Sequence, residues 1–277
     1  MNLKIVMVEG PHDGAFISKV MQVNGYKTFS KHIGDYQPPM IANYLIGQYK
    51  NAPVSELNMQ SIRQQILFPS YALAMDNELM LVFNMGGDRR DDKRKKLVTE
   101  LRDFFISPLS RMAGYVSTDD TITFIYEFDA DKDGVDVRLR QASDEIRQID
   151  AAFTGFLSNG SYIVSEGVRW GVFVFADVNG TGKLEDIILP MMESGNEDIA
   201  KSAKDFVDMK DSFALFQTEK STKDPQKARI GVMGQLQKAG CATPAIIEQS
   251  SFLTDEKIKA NPACMQLFDF LVKQDFA

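Results

Sequence analysis

The stretch Thr121-Ile122-Thr123-Phe124-Ile125-Tyr126-Glu127-Phe128-Asp129-Ala130-Asp131-Lys132-Asp133-Gly134 runs from an apolar segment directly into closely spaced carboxylates. The segment Leu3-Lys4-Ile5-Val6-Met7-Val8-Glu9-Gly10 repeats this pattern near the amino terminus. Apolar runs of this length that stop at an acid and a glycine are typical of buried parallel strands. Because strand and helix patterns alternate along the rest of the chain, the sequence predicts an α/β fold built on a largely parallel sheet.

Three carboxylates follow these two predicted strands. Open α/β sheets bind their ligands at the carboxyl ends of parallel strands, so we expect Glu9, Asp129 and Asp131 to meet at one edge of the sheet. Carboxylates gathered in one place repel each other strongly unless a cation lies between them. Oxygen-only ligands favour Mg²⁺ or Mn²⁺, and the sequence therefore predicts a site for one of these ions.

Other elements follow from the periodicity of apolar residues. Further strands are predicted at 78–85, 162–164 and 170–175. Helices are predicted over 13–24, 92–106 and 135–152, and from residue 183 onwards. Asp13 is the expected N-cap of the first helix.

Two parts of the chain differ from the strand–helix alternation. Residues 36–77 consist of short amphipathic pieces separated by prolines, which we interpret as a helical insertion packed on the sheet. Residues 201–277 are predicted to form further helices, again separated by prolines. We therefore expect residues 1–200 to form the α/β domain and residues 201–277 to form a helical carboxy-terminal region packed on it.

Bulk composition is that of an ordinary globular protein, with 44% hydrophobic and 25% charged residues among 277. The two cysteines, Cys241 and Cys264, lie far apart and form neither a disulfide framework nor a zinc motif, which suits a reducing cytosol. The apolar run before Glu9 is too short for a signal peptide, and no stretch is long enough to span a membrane. A cytoplasmic location is the resulting expectation.

One segment is strongly basic although the formal net charge of the chain is −7. It runs from residue 89 to residue 96, and its candidate nucleic-acid-binding residues are Arg89, Arg90, Lys93, Arg94 and Lys95. One interpretation is a solvated loop followed by a first helical turn. The other is a contact to a phosphate backbone beside an acidic metal site.

Several familiar acidic motifs fail on their spacing. The segments that begin at Asp129 and Asp177 resemble calcium loops, but their twelfth positions are Arg140 and Ile188 where a bidentate glutamate is needed. The chain has no G-x-x-x-x-G-K-[ST] motif, which argues against an ATPase. A nucleotide-sugar transferase with a metal-binding Asp-x-Asp fits the Asp129 segment but gives Glu9 no role.

The two histidines, His12 and His32, are too few for a histidine-rich zinc site. His12, close to Glu9, is either a solvent-exposed turn residue or a contact to a phosphate group.

The acidic pattern resembles the Toprim domain, which topoisomerases, bacterial primases, RecR and the OLD-family nucleases share. The matching motifs are Val8-Glu9-Gly10 with Asp13, then Gly86-Gly87, then Asp129-Ala130-Asp131, each after a predicted strand. More narrowly, the chain is similar to a bacterial family of Toprim-like proteins related to the OLD nucleases. That likeness extends to 170–177, 182–186 and 227–276.

The resemblance implies Mg²⁺- or Mn²⁺-dependent phosphodiester chemistry on nucleic acid, with DNA favoured and endonucleolytic cleavage as the expected reaction. It implies that Asp129 and Asp131 ligate the metal. Asp177 would ligate a second ion or orient the first, and Glu185 would support it. Glu9 would be a ligand or a general acid/base.

Two alternatives stay open. The first is a non-catalytic Toprim scaffold that binds DNA or a protein partner, as RecR-type proteins do. The second is the metal-dependent nucleotide-sugar transferase. OLD nucleases join an ATPase to their Toprim domain, so a separate ATPase partner is expected by analogy alone.

Overall fold

A computed structural model describes residues 1–50, 67–87, 91–213 and 224–273 of the chain. Within these ranges, seven strands form one sheet: β1 (Asn2–Val8), β2 (Lys27–Thr28), β3 (Tyr71–Met75), β4 (Glu78–Asn84), β5 (Thr121–Asp129), β6 (Ser161–Ser165) and β7 (Val168–Phe175). Their order across the sheet is β2-β3-β4-β1-β5-β7-β6. The four central strands, β4, β1, β5 and β7, run parallel to one another, and the outer strands pair antiparallel. The predicted α/β class is confirmed as a mixed sheet with a parallel centre.

Helices cover both faces of this sheet. In the first part of the chain they are α1 (Pro11–Val23), α2 (Pro39–Lys50), α3 (Asp91–Ile106), α4 (Pro108–Met112), α5 (Val135–Arg147), α6 (Glu185–Glu193) and α7 (Glu197–Asp208). In the carboxy-terminal region they are α8 (Pro225–Gln237), α9 (Thr243–Gln249), α10 (Asp255–Ala260) and α11 (Pro262–Val272). None of the helices in the described ranges is long and apolar enough to cross a membrane.

Side chains of the central strands alternate between two buried layers. Leu3 and Ile5 of β1 face one core, whereas Val6 and Val8 face the other. This follows from the two-residue period of a strand, because a strand covered on both faces needs apolar residues at most of its positions. Helices α2, α3 and α5 close the first core, and α1, α6 and the carboxy-terminal helices close the second.

The carboxy-terminal helices belong to the same core as the sheet. Ile230, Ile246 and Leu267 are buried in one cluster with Val6 and with Phe16 of α1. Helix α9 packs along α1, which brings the beginning of α8 close to the carboxyl ends of the central strands. Residues from the end of the sequence therefore lie beside the first strand and its acidic turn.

Two sequence predictions need correction. The segment 36–77 is not purely helical, because Tyr71–Met75 forms strand β3 against β4; the part of it from 51 to 66 lies outside the described residues. Apolar residues in a five-residue run between turns fit an edge strand as well as a helix, and the pairing partner decides. Asp13 is not the N-cap of α1. That position is Gly10, and Asp13 is the third helical residue, whose side chain accepts a hydrogen bond from the N–H of Gly10 at 2.6 Å.

Candidate functional site

The turn after β1 is fixed by backbone hydrogen bonds. The N–H groups of Gly86 and Gly87 donate to the carbonyl oxygen of Glu9, at 3.1 and 2.7 Å. Both glycines have positive φ angles, 84° and 119°, which favour glycine. The end of β4 is thereby tied to the end of β1, and the Glu9 side chain is held at the carboxyl edge of the sheet.

Asp129 ends strand β5 and is held from two directions. Its Oδ1 accepts a hydrogen bond from the backbone N–H of Leu184 at 2.8 Å, just before α6 begins. Its carbonyl oxygen accepts one from Nε of Arg138 at 2.9 Å. The residue is 9% exposed, so Asp129 lies at the rim between the core and the surface.

The loops that follow β5 and β7 are paired with each other. Asp131 and Gly182 exchange backbone hydrogen bonds of 2.6 and 2.9 Å, and the N–H of Val135 donates to the carbonyl oxygen of Gly180 at 3.0 Å. Gly182 has a φ of 100°, and a Cβ there would lie 2.8 Å from the Asp186 carboxylate. The loop that carries Asp131 and the loop that carries Asp177 are thus locked side by side.

Two cavities adjoin at this carboxyl edge. The smaller, of about 340 Å³, is lined by Glu9, Gly10, Pro11, His12, Asp13, Gly86, Gly87, Asp129 and Lys227. The larger, of about 750 Å³, is lined by Glu9, Asp129, Asp131, Lys132, Asp177, Thr181, Gly182, Lys183, Asp186, Asp224 and Lys227. Glu9, Asp129 and Lys227 line both cavities. The structure therefore brings Glu9, Asp129 and Asp131 together at one edge of the sheet, as the strand pattern predicts.

Three carboxylates form a compact buried group at this edge. Asp13, Glu127 and Asp129 each offer an oxygen, and these oxygens lie within 4.8 Å of one another. Glu127 and Asp129 are two residues apart on β5, so their side chains leave the same face of the sheet. Asp13 approaches from the first turn of α1, where its carboxylate is hydrogen-bonded to Gly10.

Burial and mutual repulsion raise the pKa values of this group. Burial, followed by the charge of Asp129, raises the pKa of Asp13 to about 7, against the opposing Gly10 hydrogen bond. Burial raises the pKa of Asp129 to about 8, with further increases from Glu185, Glu9 and Asp131. Burial also raises the pKa of Glu127 well above its ordinary value, and Asp13 and Asp129 add to this. Protons or a cation must therefore neutralise much of the charge of the group at neutral pH.

Glu185 behaves differently although it is also buried, at 1% exposure. Its Oε1 lies 3.4 Å from Nδ1 of His12 and 3.4 Å from Nζ of Lys227. Burial acts to raise its pKa, but the His12 contact and the Lys227 charge outweigh burial, so the pKa is lowered. Glu185 therefore stays ionised beside the cavities and holds both His12 and Lys227 in place.

Asp131 and Asp177 lie further out than the buried group. The Oδ2 of Asp131 accepts a hydrogen bond from Nη2 of the buried Arg138 at 2.9 Å, and its side chain is 49% exposed. The exposed carboxylate of Asp177 caps its own turn, where backbone N–H groups of Thr181 and Asn179 lower its pKa. Both side chains line the larger cavity, but neither belongs to the compact group.

The basic segment does not line either cavity in the part of the chain that the structure describes. Arg94 is only 2% exposed and forms a bidentate pair with Glu145 at 2.7 and 2.9 Å, so its predicted contact to nucleic acid is wrong. Lys95 is paired with Asp91 one helical turn earlier, at 3.2 Å, and Lys93 is half-buried on the same helix. The remaining two candidates, Arg89 and Arg90, lie outside the described residues.

Several residues of the site are not evident from the sequence. Glu127 stands within an apolar strand, although its position two residues before Asp129 indicates the same face. Lys227 and Asp224 come from the start of α8, and no local pattern links them to β5. The lysines that line the larger cavity are Lys132, Lys183 and Lys227. These three lysines line the cavity beside its carboxylates, and the buried Arg138 adds a guanidinium next to Asp131.

The donor set fits a hard divalent cation. All side chains of the compact group and its neighbour Glu9 offer carboxylate oxygens, which are the ligands of Mg²⁺ and Mn²⁺ in proteins. The compact group contains neither histidine nor cysteine, so a zinc site of the usual kind is disfavoured. The raised pKa values of Asp13, Glu127 and Asp129 also mean that a bound cation would reduce the electrostatic repulsion between their carboxylates.

No family model and no curated protein matches the sequence. Among solved structures, the crystal structure of a hypothetical protein from Pyrococcus horikoshii OT3 is similar to this chain, with a TM-score of 0.54. The two chains are 16% identical, and the match covers 98% of this chain and 94% of the other. At this identity the likeness concerns the fold alone, and it supports the α/β architecture over nearly the whole length.

Proposed function

We propose that the protein is a Toprim-like enzyme that carries out Mg²⁺- or Mn²⁺-dependent phosphodiester cleavage on nucleic acid, most simply as an endonuclease on DNA. The observation that carries this proposal is the shared wall of the two cavities, where Glu9 and Asp129 stand beside Lys227. A metal-binding acidic edge with an adjacent lysine offers both a cation and a positive side chain to a phosphate. The two cavities that adjoin this edge could each accept one of the nucleotides that flank the bound phosphate.

Glu9 and Asp129, with Asp131 and Asp177 further out, would hold the metal ions. The ions would supply Lewis-acid polarisation of the phosphoryl oxygens and an activated water. Lys227 would contact a non-bridging phosphate oxygen, and Glu185 would keep the Lys227 ammonium group oriented and charged.

Arg138 supports the outer part of the site. It holds the carbonyl oxygen of Asp129 through Nε and the carboxylate of Asp131 through Nη2, from a buried position. Carboxylate ligands of metals are commonly fixed by such outer hydrogen bonds. We assign Arg138 the task of fixing the relative positions of the two aspartates.

Cleavage of supercoiled plasmid and single-stranded DNA, with Mg²⁺ or Mn²⁺, tests the proposal. The wild-type protein should cleave, and Asp131→Asn should lose activity by about two orders of magnitude or more, since it removes a ligand charge. The matched control is Asp144→Asn on α5, an exposed aspartate paired with Arg147. It should cleave as well as wild type.

A folded wild-type protein that cleaves neither substrate with either ion would refute the catalytic proposal. DNA binding without cleavage would instead favour the scaffold function. Metal-dependent transfer or hydrolysis of a nucleotide sugar that persists in a Glu9→Gln variant would favour the transferase.

A further inference from the structure

Glu127 is a buried carboxylate close to Asp13 and Asp129, which line the smaller cavity. It is 2% exposed in a central strand. Among the described residues, no side chain donates a hydrogen bond to either carboxylate oxygen. The backbone N–H of Glu9 acts to lower the pKa of Glu127, but burial and the neighbouring carboxylates outweigh it. An ionised carboxylate in such a position is strongly unfavourable unless something neutralises it.

The neighbours of Glu127 cannot neutralise it. The carboxylates of Asp13 and Asp129 place oxygens within 4.8 Å of one another and of Glu127. Lys227 and His12 pair with Glu185, and the charge of Lys227 acts on Asp13 and Asp129. A group of three carboxylates with this burial needs protons or a cation inside it.

The spacing of the three oxygens fits a cation. Hard divalent ions bind oxygen at about 2.0–2.6 Å, so two ligands on opposite sides of one ion lie about 4–5 Å apart. Asp13 and Asp129 also line the smaller cavity, whereas Glu127 does not. An ion that enters from this cavity would meet the two aspartates first and Glu127 last.

We propose that Asp13, Glu127 and Asp129 form an inner site for one hard divalent cation, Mg²⁺ or Mn²⁺, with Glu127 as its innermost ligand. The inner site is separate from the outer carboxylates Asp131 and Asp177, which line the larger cavity. It deepens the proposed function and rests on it only in that Asp129 serves both. It is tested by cation binding in the absence of nucleic acid.

The experiment is a titration of the full chain with Mn²⁺, in which the signal of free Mn²⁺ is followed by electron paramagnetic resonance. Wild type should bind Mn²⁺, and Mg²⁺ should compete. Glu127→Gln keeps the shape of the side chain but removes its charge, and it should weaken the tightest Mn²⁺ site by about tenfold or more. The melting temperature of this variant should rise less on addition of Mn²⁺ than that of wild type.

Two further variants keep the result decisive. Glu256→Gln is the matched control, because Glu256 is exposed on α10 far along the sequence from the site, and it should bind Mn²⁺ as wild type does. Asp13→Asn retains an acceptor for the Gly10 N–H and should reproduce the loss expected for Glu127→Gln. If Glu127→Gln does not fold, the Asp13→Asn titration decides.

Unchanged Mn²⁺ affinity in Glu127→Gln and in Asp13→Asn would overturn the inner site, and so would a folded wild type that binds no Mn²⁺. The two proposals fail in different ways. Binding that depends on Glu127 without any cleavage of DNA would refute the nuclease and leave the inner site standing. Cleavage of DNA by wild type together with unchanged Mn²⁺ binding in Glu127→Gln would support the nuclease and refute the inner site.

Discussion

Asp131 illustrates how a single residue sets the geometry of the site. Its backbone has a φ of 51°, in the left-handed region that few residues other than glycine adopt. Two backbone hydrogen bonds to Gly182 and the salt bridge to Arg138 hold it there. Asparagine tolerates this conformation better than alanine does. Asp131→Asn therefore tests the carboxylate itself, whereas Asp131→Ala would also strain the loop.

The buried aspartates also link stability to pH. The pKa of Asp13 is raised to about 7 and that of Asp129 to about 8 in the folded protein, whereas unfolded aspartates titrate near 4. The folded protein therefore binds these two protons more tightly than the unfolded chain does. The resulting stabilisation of the folded state is complete below about pH 4 and is lost as the pH rises through 7 and 8. A tenfold difference in proton affinity between the folded and unfolded states corresponds to roughly 1.4 kcal/mol of stability.

The expected result is a melting temperature that falls between pH 6 and pH 9 in buffer with a chelator. Added Mg²⁺ should raise the melting temperature more at pH 8.5 than at pH 6, because the ion competes with protons for the same carboxylates. Asp129→Asn should flatten the pH dependence. A melting temperature that rises over this range in wild type would contradict the assignment.

At the level of secondary-structure elements, helix α11 is fastened to the opposite edge of the sheet by buried cations. The Lys4 ammonium group donates to the carbonyl oxygen of Leu271, and Arg169 donates to that of Lys273 at 2.8 Å. Tyr162 donates to the carbonyl oxygen of Phe270 at 2.8 Å. Positive charge at the carboxyl end of a helix is favourable, and the last carbonyls of α11 would otherwise lack partners. The end of the described chain is thus held against the amino ends of the central strands.

Lys4 connects this attachment to a buried ion pair. It also pairs with the buried Glu78 at 2.5 Å, and the two side chains are 3% and 4% exposed. Lys4→Met should lower the free energy of unfolding by about 3–5 kcal/mol, because the buried Glu78 loses its ion-pair partner and keeps the hydrogen bond from the Tyr26 hydroxyl. Urea unfolding followed by circular dichroism measures this change.

A second lysine variant, at an exposed ion pair, separates the effect of burial from the effect of removing a charge. Lys204→Met removes a lysine paired with Asp208 on the surface of α7, where both side chains are more than half exposed. It should change the free energy of unfolding by less than about 1 kcal/mol. The double variant Lys4→Met/Glu78→Gln should recover part of the loss. Equal effects of the two single lysine variants would contradict the role given to Lys4.

In the molecule as a whole, the carboxy-terminal helices complete the site that the first strands begin. Lys227 from α8 reaches both cavities, and its neighbour Asp224 is paired with Lys183 from the loop before α6 at 2.5 Å. The packing of α9 along α1 positions α8. The two parts of the chain therefore form one site and not two modules.

Lys227→Gln should lower kcat/KM for DNA cleavage by about 10- to 100-fold, because the substrate loses one charge-assisted hydrogen bond that contributes about 1.5–3 kcal/mol. Mn²⁺ affinity should be kept or increased, since a positive charge leaves the neighbourhood of the carboxylates. Lys201→Gln, which changes an exposed lysine on α7, is the control and should cleave normally. Wild-type cleavage by Lys227→Gln would remove this lysine from the proposed site.

The sheet class and the acidic edge could be predicted from the sequence alone. Buried parallel strands can be recognised locally, because most of their positions are apolar, and carboxylates stand at the end of β5 and directly after β1. Since parallel strands end on the same side, the meeting of Glu9 with Asp129 followed without knowledge of the strand order.

Only the tertiary structure shows which charged side chains face the site. Arg94 and Lys227 both stand in basic stretches near the start of a helix, yet one is buried against Glu145 and the other reaches the cavities. Glu127 stands in an apolar run, and its meaning depends on Asp13 arriving from α1. The physical reason is that burial and pairing of a charge depend on contacts between segments far apart in the chain, which no local pattern records.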